Sequence, residues 1–192
     1  MNDFSAAGKI IVINGPSSSG KTTLAFALQK QFDIPFLRFS FDLFLDSKAL
    51  PMEQIRSGAF PWETMKPSVI RGIQQCVPTL AMAGNHVIFD HIIETKSLLN
   101  HFLQSVSMLD VFFVGLHCSL PELQRREGQR GNRRTGDARE DFEIVHQITS
   151  YDLELNSENP LEQNAKILID AWHKRKRPGA LEKMIEEMNR AP

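Results

Sequence analysis

A chain of 192 residues, 42% hydrophobic and 23% charged, has the size and make-up of one globular domain with a sizeable core. Its formal net charge of −1 excludes a general attraction to nucleic acid or to an anionic membrane surface. No apolar run approaches the roughly 20 residues that span a bilayer, and Cys76 and Cys118 fit no disulfide framework, zinc or redox spacing, so they read as reduced thiols of a cytoplasmic protein.

Residues 1–8 read as a loose leader, without the basic and apolar segments of a secretory signal. Lys9 to Asn14, built on the β-branched run from Ile10 to Ile13, predicts a first strand. It breaks into Gly15, Pro16, Ser17, Ser18, Ser19, Gly20, Lys21 and Thr22, which fit the phosphate-loop pattern G-x-x-x-x-G-K-[ST]. A helix follows from about Thr22 to Phe32, with Leu24, Ala25 and Leu28 on one face. Small residues let successive backbone N–H groups curl round an anion, and the helix aims its positive end at the same point. Lys21 supplies a mobile positive charge for the β- and γ-phosphates, Thr22 a hard oxygen for Mg²⁺, and Thr23 a further hydroxyl for a phosphate. The strand before and the helix after are the context this motif requires, so the chain is expected to bind a nucleoside triphosphate.

Residues 34–39 predict a second short strand, entered through Pro35, and Asp42 follows it where open α/β sheets keep their ligands. Residues 50–67 read as an irregular insertion; Phe60 and Trp62 there form either a wall for an acceptor or the apolar anchor of a surface loop. A helical pattern over residues 67–84 carries Val69, Ile70, Ile73, Val77 and Leu80, and Pro78 is expected to kink or split it. A third strand, residues 86–90, ends on Asp90 with His91 after it. Thr95 caps an amphipathic helix with Leu98, Leu99, Phe102 and Val106 inward. Residues 110–117 are a nearly all-apolar fourth strand, as in a parallel sheet covered on both faces.

Ser119 and Glu122 form a capping-box start to a helix that runs into Arg125, Arg126, Arg130, Arg133 and Arg134, interrupted by Gly128, Gly131 and Gly136. Residues 141–151 read as helical, 165–169 as a fifth strand, and the rest as helical, with 179–192 a C-terminal tail. Strands alternating with helices at this spacing predict an α/β three-layer sandwich with a five-stranded parallel sheet in one domain over 1–192; with the phosphate loop on its first strand, the chain resembles a P-loop NTPase of the nucleoside-kinase kind.

Phosphoryl transfer needs a phosphate cradle, a metal, positive charge on the moving group and an oriented nucleophile. Asp42 is either the carboxylate that takes the proton of an attacking hydroxyl or a helix N-cap. Asp90 is either a Walker B acid ordering Mg²⁺ or a structural acid at a strand end. The arginines, over about 123–140, make either a lid neutralising charge on the γ-phosphoryl group or, at Arg125 and Arg134, a solvated helix face. No aromatics interleave with them, which argues against a nucleic-acid patch.

These blocks carry a resemblance. The loop at residues 10–21, the F-x-x-D element ending at Asp42, the V-I-F-D strand at Asp90, and V-G-L-H-C at Cys118 followed by Arg126, Arg130 and Arg133 are similar to chloramphenicol phosphotransferase and its relatives; a weaker block holds Val145, His146, Tyr151 and Asp152. The resemblance covers residues 9 to about 170. It implies a small P-loop kinase that phosphorylates an antibiotic hydroxyl, with Asp42 as general base and Arg126, Arg130 and Arg133 on the phosphates. The leading expectation is therefore an ATP- and Mg²⁺-dependent O-kinase acting on a small-molecule hydroxyl. A metabolic kinase of a sugar, nucleoside or nucleotide-sugar is the alternative, and a nucleotide-gated binding module the third; no N-K-x-D guanine-reading motif is present.

Overall fold

The computed structural model describes residues 7–130 and 136–190. Five strands form one sheet: β1 (Ile10–Asn14), β2 (Phe36–Ser40), β3 (His86–His91), β4 (Val111–His117) and β5 (Leu153–Asn156). All neighbours run parallel in the order β2-β3-β1-β4-β5. The nine helices of the described residues are α1 (Lys21–Gln31), α2 (Phe41–Asp46), α3 (Met52–Arg56), α4 (Trp62–Met82), α5 (Lys96–Ser105), α6 (Leu120–Arg130), α7 (Asp137–Ile144), α8 (Leu161–Lys174) and α9 (Ala180–Arg190).

The side-chain period of two along each strand divides the core between two faces. Ile10, Val12, Val87, Phe89 and Phe113 face one way and pack with residues of α4, α5 and α9. Ile11, Ile13, Ile88, Phe112 and Val114 face the other and pack with α1 and α8. This is the expected three-layer α/β sandwich. The C-terminal helix α9 is part of it: Leu181 is buried in the first cluster, with Met184 and Ile185 against it.

Several element expectations are corrected. Residues 165–169 lie inside α8, where Ala165, Leu168 and Trp172 are buried at helical spacing. The fifth strand is instead Leu153–Asn156, an edge strand with the single buried residue Leu155. Residues 50–67 are not irregular throughout, because α3 and the first turns of α4 occupy them. Pro78 does not split the helix; α4 runs from Trp62 to Met82 through both Pro67 and Pro78, and burial of Ile70, Ile73, Val77 and Ala81 offsets the missing backbone donors. The helix expected over residues 141–151 begins and ends earlier, after Gly136 in a left-handed conformation (φ 110°) and at Ile144. Ser119 makes no capping box with Glu122: its N–H donates to Glu158 at 2.9 Å, while Glu122 holds Arg125 and Arg126. Gly8 is anchored, its N–H bonded to the Ala81 carbonyl at 2.8 Å. No helix among the described residues is long and apolar enough to cross a membrane.

What the fold does for a ligand is set by register. Ile13 lies beside Asp90 and Asn14 beside His91, and Ser40 pairs with Asp90 from the other side. The loop after β1, the Asp90 carboxylate near the end of β3 and the helix after β2 thus converge at the C-terminal edge of the sheet.

Candidate active site

Gly15 opens the loop with no room for a side chain: a Cβ there would sit 2.5 Å from the Leu116 carbonyl oxygen. Ser18 (φ 64°) and Gly20 (φ 94°) take left-handed conformations that curl the loop back on itself. Gly20 immediately precedes α1, so the curl and the positive end of that helix face one point. The Ser18 and Ser19 hydroxyls are buried and have no hydrogen-bond partner among the described residues. Buried hydroxyls left unpaired are costly, and a phosphate oxygen is the acceptor they lack, so the loop fits a phosphate chain. Lys21 is 8% exposed and folds its Nζ onto the Pro16 carbonyl at 2.8 Å.

On one side of the loop, a cavity of about 80 Å³ is lined by Lys21, Thr22, Asp42, Lys66, Asp90 and Glu94. It shares Asp42, Lys66 and Glu94 with a larger one of about 560 Å³ that reaches Ser17, Trp62 and Asp141. Asp42 is the second residue of α2 and half-buried; the N-cap position belongs to Ser40, whose side chain makes no capping bond. The wall expected at Phe60 and Trp62 is formed by Trp62 with Phe41, ring centroids 6.1 Å apart. Phe60 is 43% exposed and lines neither cavity.

Asp90 is 5% exposed and paired with Arg38 of β2 at 3.1 Å. Arg38 also donates to Ser40 Oγ at 3.0 Å and lies 4.6 Å over the Phe26 ring. Burial pushes the Asp90 carboxyl pKa up from its ordinary value, against the downward pull of Lys21 and Arg38. His91 is buried against Phe89 (centroids 4.7 Å) and burial drives its pKa to about 3, so it stays neutral.

Three further residues carry no motif. Asp141 of α7 is buried, and its Oδ2 accepts the Ser17 N–H at 2.8 Å. Burial raises its pKa to about 6, opposed by the Ser17 N–H and by Lys21. Lys66 of α4 donates to both carboxylate oxygens of Glu94, at 2.8 and 3.1 Å. These groups surround the loop with charge that no local pattern announces.

On the other side of the loop is a cavity of about 350 Å³ lined by Gly20, Thr23, Arg126, Ser157, Asn159 and Asn164. Arg126 spans the loop and the chain beyond β5: Nη1 donates to the Ser19 carbonyl at 3.2 Å and to Ser157 Oγ at 3.1 Å, while Nε meets Glu122 at 2.7 Å. Arg130 is the last residue of α6, and its side chain lies outside the described residues, as do Arg133 and Arg134. Glu127 joins the two flanks of that stretch, accepting the N–H groups of Gly136 at 3.0 Å and Ala138 at 2.9 Å.

Among the described residues no group of three or more His, Cys, Asp or Glu side chains is gathered to cage a metal. Thr22, Asp42 and Asp90 in the small cavity are hard oxygen donors, which suits a cation such as Mg²⁺ that keeps phosphate and water ligands.

A family model described as chloramphenicol phosphotransferase-like protein matches residues 8–173. A Mycobacterium tuberculosis (strain H37Rv) protein, whose name assigns it provisionally as an O-phosphotransferase, is 29% identical over 185 residues, covering 86% of this chain and 82% of its own. The structure of M. tuberculosis APS kinase with AMPPNP and APS has a TM-score of 0.66 at 17% identity, over 88% of this chain and 99% of the other. Shikimate kinase from Aquifex aeolicus gives 0.60 at 16% identity, over 85% and 96%. At such identities these two structures establish the fold alone, which is that of the P-loop kinases.

Proposed function

The chain belongs to the chloramphenicol phosphotransferase-like family, and from that membership we propose that it is a kinase moving the γ-phosphoryl group of ATP to a hydroxyl of a small molecule. The observation that carries the reading is the shared cavity: Asp42, from the segment after β2, lines the same space as Lys21 and Thr22 of the phosphate loop. In this reading the acceptor occupies the larger cavity beside Trp62, and its hydroxyl oxygen attacks the γ-phosphorus. The new O–P bond forms as the bond to the β–γ bridging oxygen breaks; ADP leaves, and the hydroxyl proton passes to the Asp42 carboxylate. Lys21 leaves the Pro16 carbonyl to neutralise the β- and γ-phosphates. Thr22 and Asp90 would hold Mg²⁺, which when bound neutralises phosphate charge and orders the triphosphate. Gly15, Pro16, Ser17, Ser18, Ser19, Gly20 and Thr23 cradle the chain of phosphates; Arg130 and Arg133 are assigned to phosphate charge by the family resemblance, and Arg126 is held beside the loop by Ser19 and Ser157.

The family's name makes an antibiotic hydroxyl the first acceptor class to test, and such an acceptor would make the protein a resistance determinant. Cytoplasmic ATP is the donor in this reading, and the unpaired Cys76 and Cys118 accord with a reducing compartment. The test is an ATP-consumption screen over hydroxyl-bearing antibiotics, sugars and nucleosides, with product mass read for one added phosphoryl group. One class should give stoichiometric ADP and a phosphate monoester; purified protein without affinity for Mg-nucleotide would overturn the reading.

A further inference from the structure

The two sides of the phosphate loop are lined differently, and the side away from Asp42 contains an unsatisfied group. Lys21, Thr22 and Asp42 line the cavity where transfer takes place, whereas the next residue, Thr23, lines the cavity of about 350 Å³ on the far side. A triphosphate with its terminal phosphate toward Asp42 therefore sends its nucleoside toward that second cavity. Asn164, in the first turn of α8, stands in its wall and is only 3% exposed. Its Nδ2 donates to the carbonyl of Asn156, the last residue of β5, at 2.8 Å. Its Oδ1 has no hydrogen-bond partner among the described residues. The committed nitrogen fixes the amide's orientation, so the group left over is an acceptor.

Arg126 lines the same cavity with its guanidinium pinned by in-plane bonds to Glu122, Ser19 and Ser157. What it offers a ligand is its flat face, and guanidinium faces stack on aromatic rings. An aromatic ring with a hydrogen-bond donor at its edge complements a flat cation and a lone carbonyl oxygen together.

We propose that Asn164 is the base-reading residue of the phosphoryl donor, accepting a hydrogen bond from the exocyclic 6-amino group of adenine. The inference rests on the phosphotransferase reading for the presence of a nucleotide, and it adds how one base is chosen. Adenine carries two hydrogens on N6; a purine with hydrogen at that position leaves Asn164 Oδ1 as unpaired in the complex as it is without ligand. Sites built around such a bond discriminate strongly against the analogue lacking it.

The test uses the whole chain without acceptor, so that nothing is consumed. Calorimetric binding of ATP is compared with purine riboside triphosphate, which lacks the 6-amino group, and with inosine triphosphate, which carries oxygen there. Wild-type protein should bind ATP on the order of 10- to 100-fold tighter than purine riboside triphosphate, and Asn164→Leu should bring that ratio close to one by weakening ATP alone. The side-chain amide resonances of Asn164 in ¹⁵N-labelled wild-type protein give a readout independent of the variant's folding: they should shift with ATP and stay put with purine riboside triphosphate. Equal affinities for the two in wild-type protein, an unchanged ratio in Asn164→Leu, or amide shifts identical for both ligands would each overturn the assignment. Failure of every nucleotide to bind would instead strike the phosphotransferase reading itself.

Discussion

The two cavities flanking the phosphate loop are made of different chemistry. On the acceptor side the walls carry ionisable side chains: Asp42, Lys66, Asp90, Glu94 and Asp141. On the donor side the only ionisable side chain of the lining among the described residues is Arg126, and the rest of that described lining is serine, threonine, amide, backbone and leucine. A cavity built from neutral donors and acceptors keeps its shape and charge as pH changes. Walls that include the buried carboxylates Asp90 and Asp141 do not, because burial raises the pKa of both and proton uptake relieves that penalty. Binding of the donor and handling of the acceptor should therefore separate experimentally, by residue and by pH.

The largest expected effect lies on the acceptor side. Asp42→Ala should lower kcat by roughly 10³-fold, within the range of a lost general base, while leaving the dissociation constant for ATP within about twofold of wild type, since nothing on the donor side is touched. Single-turnover transfer and equilibrium binding check the two halves. Weakened ATP binding of similar size would mean that Asp42 acts on the nucleotide and that the two sides are not independent.

Next in size is the Arg38–Asp90 pair. Arg38→Met leaves a carboxylate that is 5% exposed without its guanidinium partner. Breaking such a pair from one side should destabilise the fold by about 3 kcal/mol near neutral pH, read from the chemical-denaturation midpoint. The Asp90 pKa is already raised by burial, and losing Arg38 raises it further. The deficit should therefore grow as pH rises through that pKa and shrink in acid, where Asp90 is neutral. A deficit independent of pH would assign the loss to Arg38 packing on Phe26 instead.

Asp141 gives an effect of the opposite sign. Its pKa of about 6 lies above the ordinary 3.8, so the folded chain binds a proton more tightly than the unfolded one, and stability falls as pH rises across that interval. Asp141→Asn keeps an oxygen for the Ser17 N–H and removes the buried charge. It should stabilise the protein by up to about 3 kcal/mol at pH 7.5 and by almost nothing below pH 3, from roughly 1.4 kcal/mol per pKa unit over the interval from 3.8 to about 6. Thermal melts across that range check it, and a destabilised variant at neutral pH would show that the ionised form is needed to hold the loop.

How far these regions were legible in the sequence follows from where their partners lie. The phosphate loop is written in eight consecutive residues, Asp42 stands just after a strand and Asp90 near the end of one, so local pattern reaches them. The runs in β1, β3 and β4 are plain because a parallel strand buried on both faces is continuously apolar. β5, with Leu155 alone buried, is not, and the denser apolar run of α8 reads as a strand in its place because a short apolar stretch fits either period. Asp141, Arg38 and Lys66 escaped for another reason. Their partners Ser17, Asp90 and Glu94 stand 124, 52 and 28 residues away, and nothing in one sequence pairs them.

The arginine run yields the smallest prediction and the sharpest use of the contrast between the cavities. Arg125 and Arg126 are neighbours in sequence and both bind Glu122. Helical geometry separates them by about 100° around the axis, so Arg126 turns to the loop carbonyl of Ser19 while the Arg125 side chain is 56% exposed. The Arg125–Glu122 pair, at 2.6 Å, is a solvent-screened contact between residues one turn apart. Arg125→Ala should therefore change stability by less than about 0.5 kcal/mol and leave ATP affinity unaltered, as melting and calorimetric titration would show. Glu122 then stays bonded to Arg126 and goes on fixing its guanidinium plane. If Arg125→Ala weakens ATP binding severalfold, Glu122 needs both arginines to hold that plane, and the donor cavity depends on surface charge after all.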